Sequence, residues 1–396
     1  MSGQRVLVHV QHLLGIGHLQ RAALLAAGMS ESGLDVALVS GGRPTADPPH
    51  GGARLIQLPP ISSRDETFKT LVDGDGREID DAYRNARRDK LLAVFDAERP
   101  DAVVIELFPF GRRQMRFELL PLLDACHRLV PRPLVVSSIR DVLQAGRAPA
   151  RIAETTALAR DRFDRVLVHG DPGLIDLAES FPNTRAIADK IHYTGYVAPP
   201  MPAAGGPGDV GWREVLVSVG GGAVGRRLME CAIAARPHTA LADRTWRLLA
   251  GHNLPAPAFA ALARDAPAGT IVERARKDFR FAVMNSTVSV SQAGYNTVAD
   301  LLSARARAVL VPFAAGGETE QTMRAHRLAA RGLAQTVEEA ELAPGALAAA
   351  VDRAAAAPRP DAGGVDLSGT ETSARLLAGW LGHGRRGTQE EGENPS

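Results

Sequence analysis

Cysteine is scarce in this chain: its 396 residues include two, Cys126 and Cys231. They lie far apart in sequence, in segments predicted to be helical, which argues against a disulfide framework and favours a cytoplasmic protein. The sequence opens Met-Ser-Gly-Gln-Arg and passes at once into a short apolar strand, so no signal peptide is predicted.

Charge of one sign and long apolar runs are also lacking. The formal net charge is +1, which predicts no general affinity for nucleic acid. No apolar run approaches the ~18 to 20 residues needed to span a bilayer, and peripheral membrane contact stays open. The chain is 45% hydrophobic and 23% charged, an ordinary globular composition, and its length suits two domains. Abundant Ala, Gly, Pro and Arg indicate a bacterial source.

Short apolar segments alternate with helical patterns along both halves of the chain. Val6–Val10 and Ala102–Ile105 read as buried strands, as expected in a parallel sheet. A Pro- and Gly-rich stretch at 197–207 interrupts the alternation, which restarts at Val215. We therefore predict an α/β protein with two Rossmann-like domains. The predicted organisation is an N-terminal domain at 1–198, a linker at 199–211, a C-terminal domain at 212–382 and a disordered tail at 383–396.

The run Ser291–Leu302 (SQAGYNTVADLL) is the most informative local pattern. A strand ends, Gly294 turns the chain, and a helix is predicted to begin with Asn296 and Thr297 at its capping positions. A helix N-terminus offers free N–H groups and a positive dipole end, which suit a phosphate. Asp300, one turn further on, is within reach of a ribose hydroxyl pair.

A second loop of similar chemistry follows the predicted strand Val309–Phe313. It runs through 316–321 and ends in Glu320 and Gln321, whose side chains suit sugar hydroxyls. Two neighbouring strand-end loops of this kind predict a nucleotide-sugar site.

The sequence Gly15-Ile16-Gly17-His18 lies between the first strand and the first helix. Glycines here let the backbone approach a ligand at the carboxyl end of the sheet. His18 is placed at a helix N-terminus, where the dipole favours a neutral ring, and glycosyl transfer to a hydroxyl needs such a base. A capping or core histidine is the alternative.

Three acidic motifs are weighed against this site. Asp73-Gly74-Asp75-Gly76 follows no apolar strand and is interpreted as a surface turn, not a metal site. Arg140-Asp141 follows the strand 134–138 and is either a cleft pair or a structural ion pair. Glu106 ends a strand and is a candidate second carboxylate.

Gly220, Gly221 and Gly222 follow the first strand of the second half. A Gly-x-Gly-x-x-Gly pattern can be read from Gly220 to Gly225, but no acidic residue ends the next strand near 246–251. NAD binding is therefore disfavoured.

The segment 289–332 resembles the donor-binding half of GT-B glycosyltransferases. The chain from Val6 to Leu381 resembles a bacterial group of predicted glycosyltransferases, similar to the family 28-like enzymes that include the lipid II-forming N-acetylglucosaminyltransferase. The stretches that carry this likeness are 15–21 (GIGHLQR), 139–143 (IRDVL), 169–172 (HGDP) and 193–197 (YTGYV).

The resemblance implies a GT-B architecture whose sheets face an interdomain cleft. The N-terminal domain would bind an unknown acceptor and the C-terminal domain a nucleoside diphospho-sugar, with UDP as the expected nucleotide. Transfer of a hexose-type sugar would invert the anomeric centre, without a metal or other cofactor. The predicted linker would let the cleft close on the donor.

The resemblance also implies roles for individual residues. His18 would be the base and Gly17 would face the sugar; Asp300 would hold the ribose, where the related enzyme has Glu. The residues expected around the rest of the donor are Arg276 near the base, Ser291, Gly294, Asn296 and Thr297 around the diphosphate, Gly220, Gly221 and Gly222 near the pyrophosphate, and Glu320 and Gln321 at the sugar, where the related enzyme has two glutamines.

Two other classes remain open on the same fold. One is a nucleotide-sugar hydrolase or epimerase, in which water or the sugar itself reacts. The other is a catalytically idle sugar-nucleotide sensor, which the presence of His18 disfavours.

Overall fold

The computed structural model describes residues 3–46, 48–65, 68–144, 146, 148–219, 225–252, 254–314, 319–361 and 364–390. The chain divides into two units. Unit 1 contains the residues up to Pro172, Asp176–Val197 and the residues from Ser368 onward. Unit 2 contains Gly173–Ile175 and Ala198–Leu367.

Strands and helices alternate through both units. The strands are β1 (Arg5–Val10), β2 (Asp35–Ser40), β3 (Arg54–Gln57), β4 (Ser62–Ser63), β5 (Leu71–Val72), β6 (Ala102–Glu106), β7 (Leu134–Arg140), β8 (Arg165–His169), β9 (Ile191–Tyr193), β10 (Val215–Ser218), β11 (Trp246–Ala250), β12 (Thr270–Arg274), β13 (Val288–Ser291), β14 (Ala308–Leu310) and β15 (Gln335–Thr336). The helices are α1 (Gly17–Glu31), α2 (Asp81–Glu98), α3 (Arg116–Arg128), α4 (Pro149–Arg162), α5 (Arg226–Ala235), α6 (Ala256–Arg264), α7 (Phe279–Asn285), α8 (Tyr295–Ser303), α9 (Glu320–Ala330), α10 (Pro344–Ala356) and α11 (Gly369–Glu390). Short 3-10 helices join some of them.

Unit 1 is built on a seven-stranded parallel sheet of order β3-β2-β1-β6-β7-β8-β9. Its central strands are continuous apolar runs because helices cover both faces. The chain moves outward from β1 to β3 and then returns to place β6 on the other side of β1. The strand order therefore reverses between β1 and β6, and such a switch point opens a crevice at the carboxyl ends of the strands.

Unit 2 repeats this plan with a six-stranded parallel sheet of order β12-β11-β10-β13-β14-β15. Its switch point lies between β10 and β13, where Ser218 and Ser291 are register partners at the strand ends. The segment Gly220–Gly222, which follows β10 in sequence, lies outside the described residues. Two Rossmann-like parallel sheets confirm the predicted fold class.

The C-terminal helix α11 corrects the predicted domain boundary. We expected residues up to 382 in the C-terminal domain, but the residues from Ser368 belong to unit 1. Ala374, Leu377 and Leu381 join the apolar cluster beneath α1, where Leu377 is fully buried. The helix extends to Glu390, into the segment 383–396 that was predicted to be a disordered tail.

The predicted linker lies along α7 of unit 2, with no helix or strand among 199–211. Gly205 N donates to Asn285 Oδ1 at 2.8 Å, and Asn285 Nδ2 donates to Val210 O at 3.1 Å. Irregular backbone is thus held by side chains, as its composition requires.

Two minor predictions are confirmed. Cys126 and Cys231 are free, buried thiols. The turn at 73–76 is on the surface, and Asp73 Oδ1 accepts from the backbone N–H groups of Asp75 and Arg77 at 2.9 Å each.

Candidate active site

A histidine–carboxylate pair lies at the switch point of unit 1. His18 is the second residue of α1, directly after the β1 loop, and Glu106 is the last residue of β6. Their contact joins His18 Nδ1 to Glu106 Oε1 at 2.8 Å. Arg21, one helical turn after His18, donates its Nη2 to the same carboxylate oxygen.

Burial sets the charge state of His18, and contacts with its neighbours set that of Glu106. The Glu106 side chain is 1% exposed and that of His18 is 17% exposed. Burial lowers the pKa of His18 to about 3; Glu106 raises it, and the charges of Arg112 and Arg140 lower it further. Burial raises the pKa of Glu106, but its contacts with His18 and Arg21 outweigh burial and bring that pKa to about 2. At neutral pH the pair is therefore an imidazole and a carboxylate.

The hydrogen bond fixes the tautomer of His18. A carboxylate accepts, so Nδ1 carries the proton and Nε2 presents its lone pair. Nε2 makes no hydrogen bond to any residue that the structure describes. This is the arrangement of a general base: one ring nitrogen is oriented by a carboxylate while the other is open to a substrate proton.

Two further polar side chains of unit 1, those of Asp141 and His169, are buried and hydrogen-bonded to other protein groups. Asp141 is fully buried, and its Oδ2 accepts from the Tyr196 hydroxyl at 2.7 Å. His169 is also fully buried, and its ring nitrogens meet Ser138 Oγ at 2.8 Å and Thr194 Oγ1 at 2.9 Å. Burial lowers the pKa of His169 to about 3. These contacts indicate structural roles for both side chains.

The N-terminus of α8 lies at the switch point of unit 2. The N-cap is Gly294, which has no side chain with which to cap the helix. The prediction that Asn296 and Thr297 would occupy capping positions is wrong, because the turn at Gly294 places both inside the first turn. The backbone N–H groups of this first turn have no carbonyl partner within the helix, as at any helix start.

Helix α9 holds the loop that leads into α8. Gln321 Oε1 accepts from Ala293 N at 3.0 Å and from Phe313 N at 3.2 Å. The buried Arg324 donates Nη1 to Ala293 O at 2.6 Å and Nη2 to Glu320 Oε1 at 3.0 Å. Both backbone groups of Ala293 are thus fixed by α9. The carbonyl oxygen of Gln321 and one oxygen of Glu320, predicted for sugar hydroxyls, are used in this arrangement.

Asp300 lies on the second turn of α8 and pairs with Arg280 of α7. Arg280 Nε donates to Asp300 Oδ1 at 3.0 Å, and its Nη2 donates to the carbonyls of Pro199 and Pro200. Burial raises the pKa of Asp300 to about 6, while the charge and hydrogen bond of Arg280 oppose that rise.

The remaining predicted donor residues occupy different surroundings. The Ser291 hydroxyl is buried at the end of β13 with no hydrogen-bond partner in the described chain. Arg276 lies between β12 and α7, where its guanidinium pairs with Asp278 at 2.7 Å through both Nε and Nη2. Gly17 is the first residue of α1.

Sequence reasoning missed Arg21, Arg112 and Arg280. Arg21 had a usable signal, because a residue three positions after His18 lies on the same helix face. Arg112 and Arg280 had none, since Arg112 meets Gln11 across 101 positions, and Arg280 meets Pro199 across 81 positions and Asp300 across 20.

No group of three or more His, Cys, Asp or Glu side chains arranged to hold a metal ion occurs in the described parts of the chain. Within the same ranges, no helix is both long and apolar enough to cross a membrane.

Comparison with known proteins defines the class first: the chain has the GT-B fold of glycosyltransferases. The glycosyltransferase of kitacinnamycin has a TM-score of 0.63 and 16% identity, covering 96% of this chain and 98% of its own. MurG of Acinetobacter baumannii has a TM-score of 0.54 and 16% identity, covering 95% and 99%. The glycosyltransferase VinC, solved in complex with dTDP, has a TM-score of 0.57 and 15% identity, covering 96% and 95%.

The match to a family model is more particular. Residues 269–362 match the model of the glycosyltransferase family 28 C-terminal domain. The resemblance to family 28-like glycosyltransferases is thereby confirmed. No curated protein sequence matches the chain at a significant level.

Proposed function

We propose that this protein transfers a hexose-type sugar from a nucleoside diphosphate donor, with UDP as the nucleotide, to an acceptor hydroxyl. The observation that carries the proposal is the His18–Glu106 pair, a neutral and oriented base with one open nitrogen. The match at 269–362 supports a sugar-nucleotide site in unit 2. The dTDP bound to VinC supports a nucleoside diphosphate as the ligand class.

The proposed reaction is a single displacement. His18 Nε2 takes the proton of the acceptor hydroxyl as its oxygen attacks the anomeric carbon. The bond from that carbon to the diphosphate oxygen breaks, and the nucleoside diphosphate leaves with the bonding electrons. Attack opposite the leaving group inverts the anomeric centre. The N–H groups in the first turn of α8 would stabilise the departing charge without a metal. Side chains of α9 fix the backbone of Ala293, just before this helix.

The product identifies the activity. The full chain is incubated with a panel of UDP-, dTDP- and GDP-sugars and a cell extract, and products are separated by mass spectrometry. We expect one donor class to yield a compound heavier by one sugar residue together with free nucleoside diphosphate. A panel that yields no new sugar adduct, although the donors bind, would argue against a transferase.

The ribose role of Asp300 gives the first prediction. Asp300→Ala should weaken UDP binding by ~1 to 3 kcal/mol, the range for a lost hydrogen bond to a charged group. Isothermal titration calorimetry on the full chain measures it. Asp265→Ala removes a carboxylate that is 64% exposed and paired with Arg264 in the same unit, and should leave the affinity unchanged. Equal UDP affinity in a folded Asp300→Ala protein would remove Asp300 from the donor site.

Asp300 also predicts a pH dependence. Its pKa is raised to about 6, so it is a carboxylate at pH 7.5 and is mostly protonated at pH 5. Protonation removes acceptor capacity for ribose hydroxyls, and UDP affinity should therefore fall as the pH falls through 6. Because UDP itself titrates, the informative quantity is the ratio of the dissociation constant of Asp300→Asn to that of the wild type. This ratio should fall by up to about tenfold between pH 7.5 and pH 5.

Titration of His18 should not contribute to the pH dependence between pH 5 and 8. Its pKa of about 3 keeps the imidazole neutral throughout that range. At saturating donor, kcat should therefore stay flat from pH 5 to 8.

For the Asp300 prediction, a ratio of dissociation constants that does not vary with pH would contradict the role of Asp300.

A further inference from the structure

Arg112 occupies a strained position close to the base. The segment after Glu106 contains two non-glycine residues in the left-handed region, Leu107 at φ 65° and Arg112 at φ 55°. Such conformations are unfavourable for non-glycine residues and persist where the surrounding structure imposes them. Here Arg112 Nε donates to the carbonyl of Gln11, the residue that follows β1, at 2.7 Å. That bond fixes the guanidinium at the carboxyl edge of the unit 1 sheet.

The charge of Arg112 is not matched by a carboxylate. Arg87 and Arg21, the other deeply placed arginines of this region, form ion pairs with Glu118 and Glu106 respectively. Among the residues that the structure describes, no carboxylate lies within ion-pair distance of Arg112, and its bond to Gln11 is its sole hydrogen bond. Its two terminal nitrogens, Nη1 and Nη2, therefore have no protein acceptor there.

Glu106 acts on Arg112 through its charge, without a hydrogen bond or ion pair between the two side chains. Burial lowers the pKa of Arg112 to about 10; Glu106 raises it, and Arg140 and Arg21 lower it. The charge of Arg112 in turn contributes to lowering the pKa values of both His12 and His18. The carboxylate of Glu106 accepts from His18 and Arg21 through Oε1, while its Oε2 is buried and accepts from no described residue, Arg112 included.

The terminal nitrogens of Arg112 are not among the buried unpartnered atoms of the described residues, so a ligand can reach them, and a hydrogen bond from a guanidinium to an anion is charge-assisted. We infer that Arg112 forms an anion subsite beside His18 and binds a phosphate group of a substrate. The planar fork of two N–H donors suits a phosphate bidentately. That phosphate could belong to the acceptor or be the diphosphate of the donor. Only this choice of source rests on the proposed function.

Phosphate binding to the full chain tests the subsite without turnover. The probe is inorganic phosphate, and the readout is the Cε1–Hε1 NMR signal of His18, assigned by its loss in His18→Gln. We expect a saturable shift in the wild type and an affinity about tenfold or more weaker in Arg112→Gln, the loss of one charge-assisted contact.

Two further variants make this comparison specific. Arg113→Gln removes the next arginine, which is 54% exposed and paired with Glu154, and should leave phosphate binding unchanged. Arg112→Lys keeps the charge without the fork and should bind at an affinity between those of the wild type and Arg112→Gln. The absence of a saturable shift in the wild type overturns the subsite. If Arg112→Gln does not fold, Arg112→Lys replaces it in the test, and phosphate binding by Arg112→Lys that is as tight as in the wild type overturns the subsite.

Saturating UDP separates the two sources. If the phosphate comes from the acceptor, inorganic phosphate still shifts His18 with UDP bound, and the shift still depends on Arg112. If it is the donor's diphosphate, UDP displaces the probe and Arg112→Gln weakens UDP itself. Phosphate binding that depends on Arg112 supports the subsite even if no sugar adduct is found. Phosphate binding that is unchanged in Arg112→Gln overturns the subsite even if glycosyl transfer is found.

Discussion

Replacing His18 by alanine should lower the turnover number by ~10² to 10⁴, the usual span for loss of a general base, and leave donor affinity nearly intact. The reason is positional: His18 belongs to unit 1, whereas the residues proposed to bind the donor belong to unit 2. Steady-state diphosphate release and UDP titration measure the two quantities on the same protein.

The control for His18→Ala is His127→Ala. His127 is an exposed histidine of the same unit, and its ring meets the carbonyl of Arg162 at 3.2 Å. Its removal should leave turnover within about twofold of the wild type, as is usual for surface substitutions. Turnover that survives His18→Ala within a few-fold would make His18 a structural residue and return attention to Glu106 as the base.

Glu106→Gln should lower turnover by roughly 10² to 10⁴, the scale seen when the carboxylate behind a catalytic histidine becomes an amide. The amide keeps the size of the side chain but loses the charge that fixes the proton on Nδ1. It can also offer an N–H to that nitrogen, which would select the wrong tautomer. Donor affinity should again be unchanged.

Non-additivity distinguishes a coupled pair from two independent effects. If Glu106 acts through His18, the double variant His18→Ala/Glu106→Gln should be no slower than His18→Ala alone. Multiplying losses would contradict the orienting role. Because Glu106 also pairs with Arg21, each variant is compared at a temperature at which circular dichroism shows it to be folded.

The fold was largely predictable because its strands are short, continuous apolar runs. Val6–Val10 and Ala102–Ile105 lie within β1 and β6, and the linker begins where the alternation stops. The C-terminal helix was assigned to the wrong unit because its apolar stripe, including Leu377, specifies burial without naming the partner surface. Only the folded chain shows that this surface is α1.

The positions of site residues within single helices and strands were predictable from the sequence, but the contacts between those elements were not. A histidine at the start of α1 and a carboxylate at the end of β6 follow from local pattern. Their contact does not, because 88 residues separate them. The sequence likewise could not show that the side-chain oxygen of Gln321 accepts a hydrogen bond from Ala293 N, since that contact depends on the position of α9 beside the loop before α8.

The most direct test of the central claim is the acceptor dependence of nucleoside diphosphate release by the wild type and His18→Ala. The active nucleotide sugar is mixed with the full chain, with and without the purified acceptor, and released diphosphate is followed with time. The proposal predicts slow release without acceptor, a rate increase with acceptor in the wild type, and loss of that increase in His18→Ala. Equally fast release without acceptor would contradict it and identify a nucleotide-sugar hydrolase.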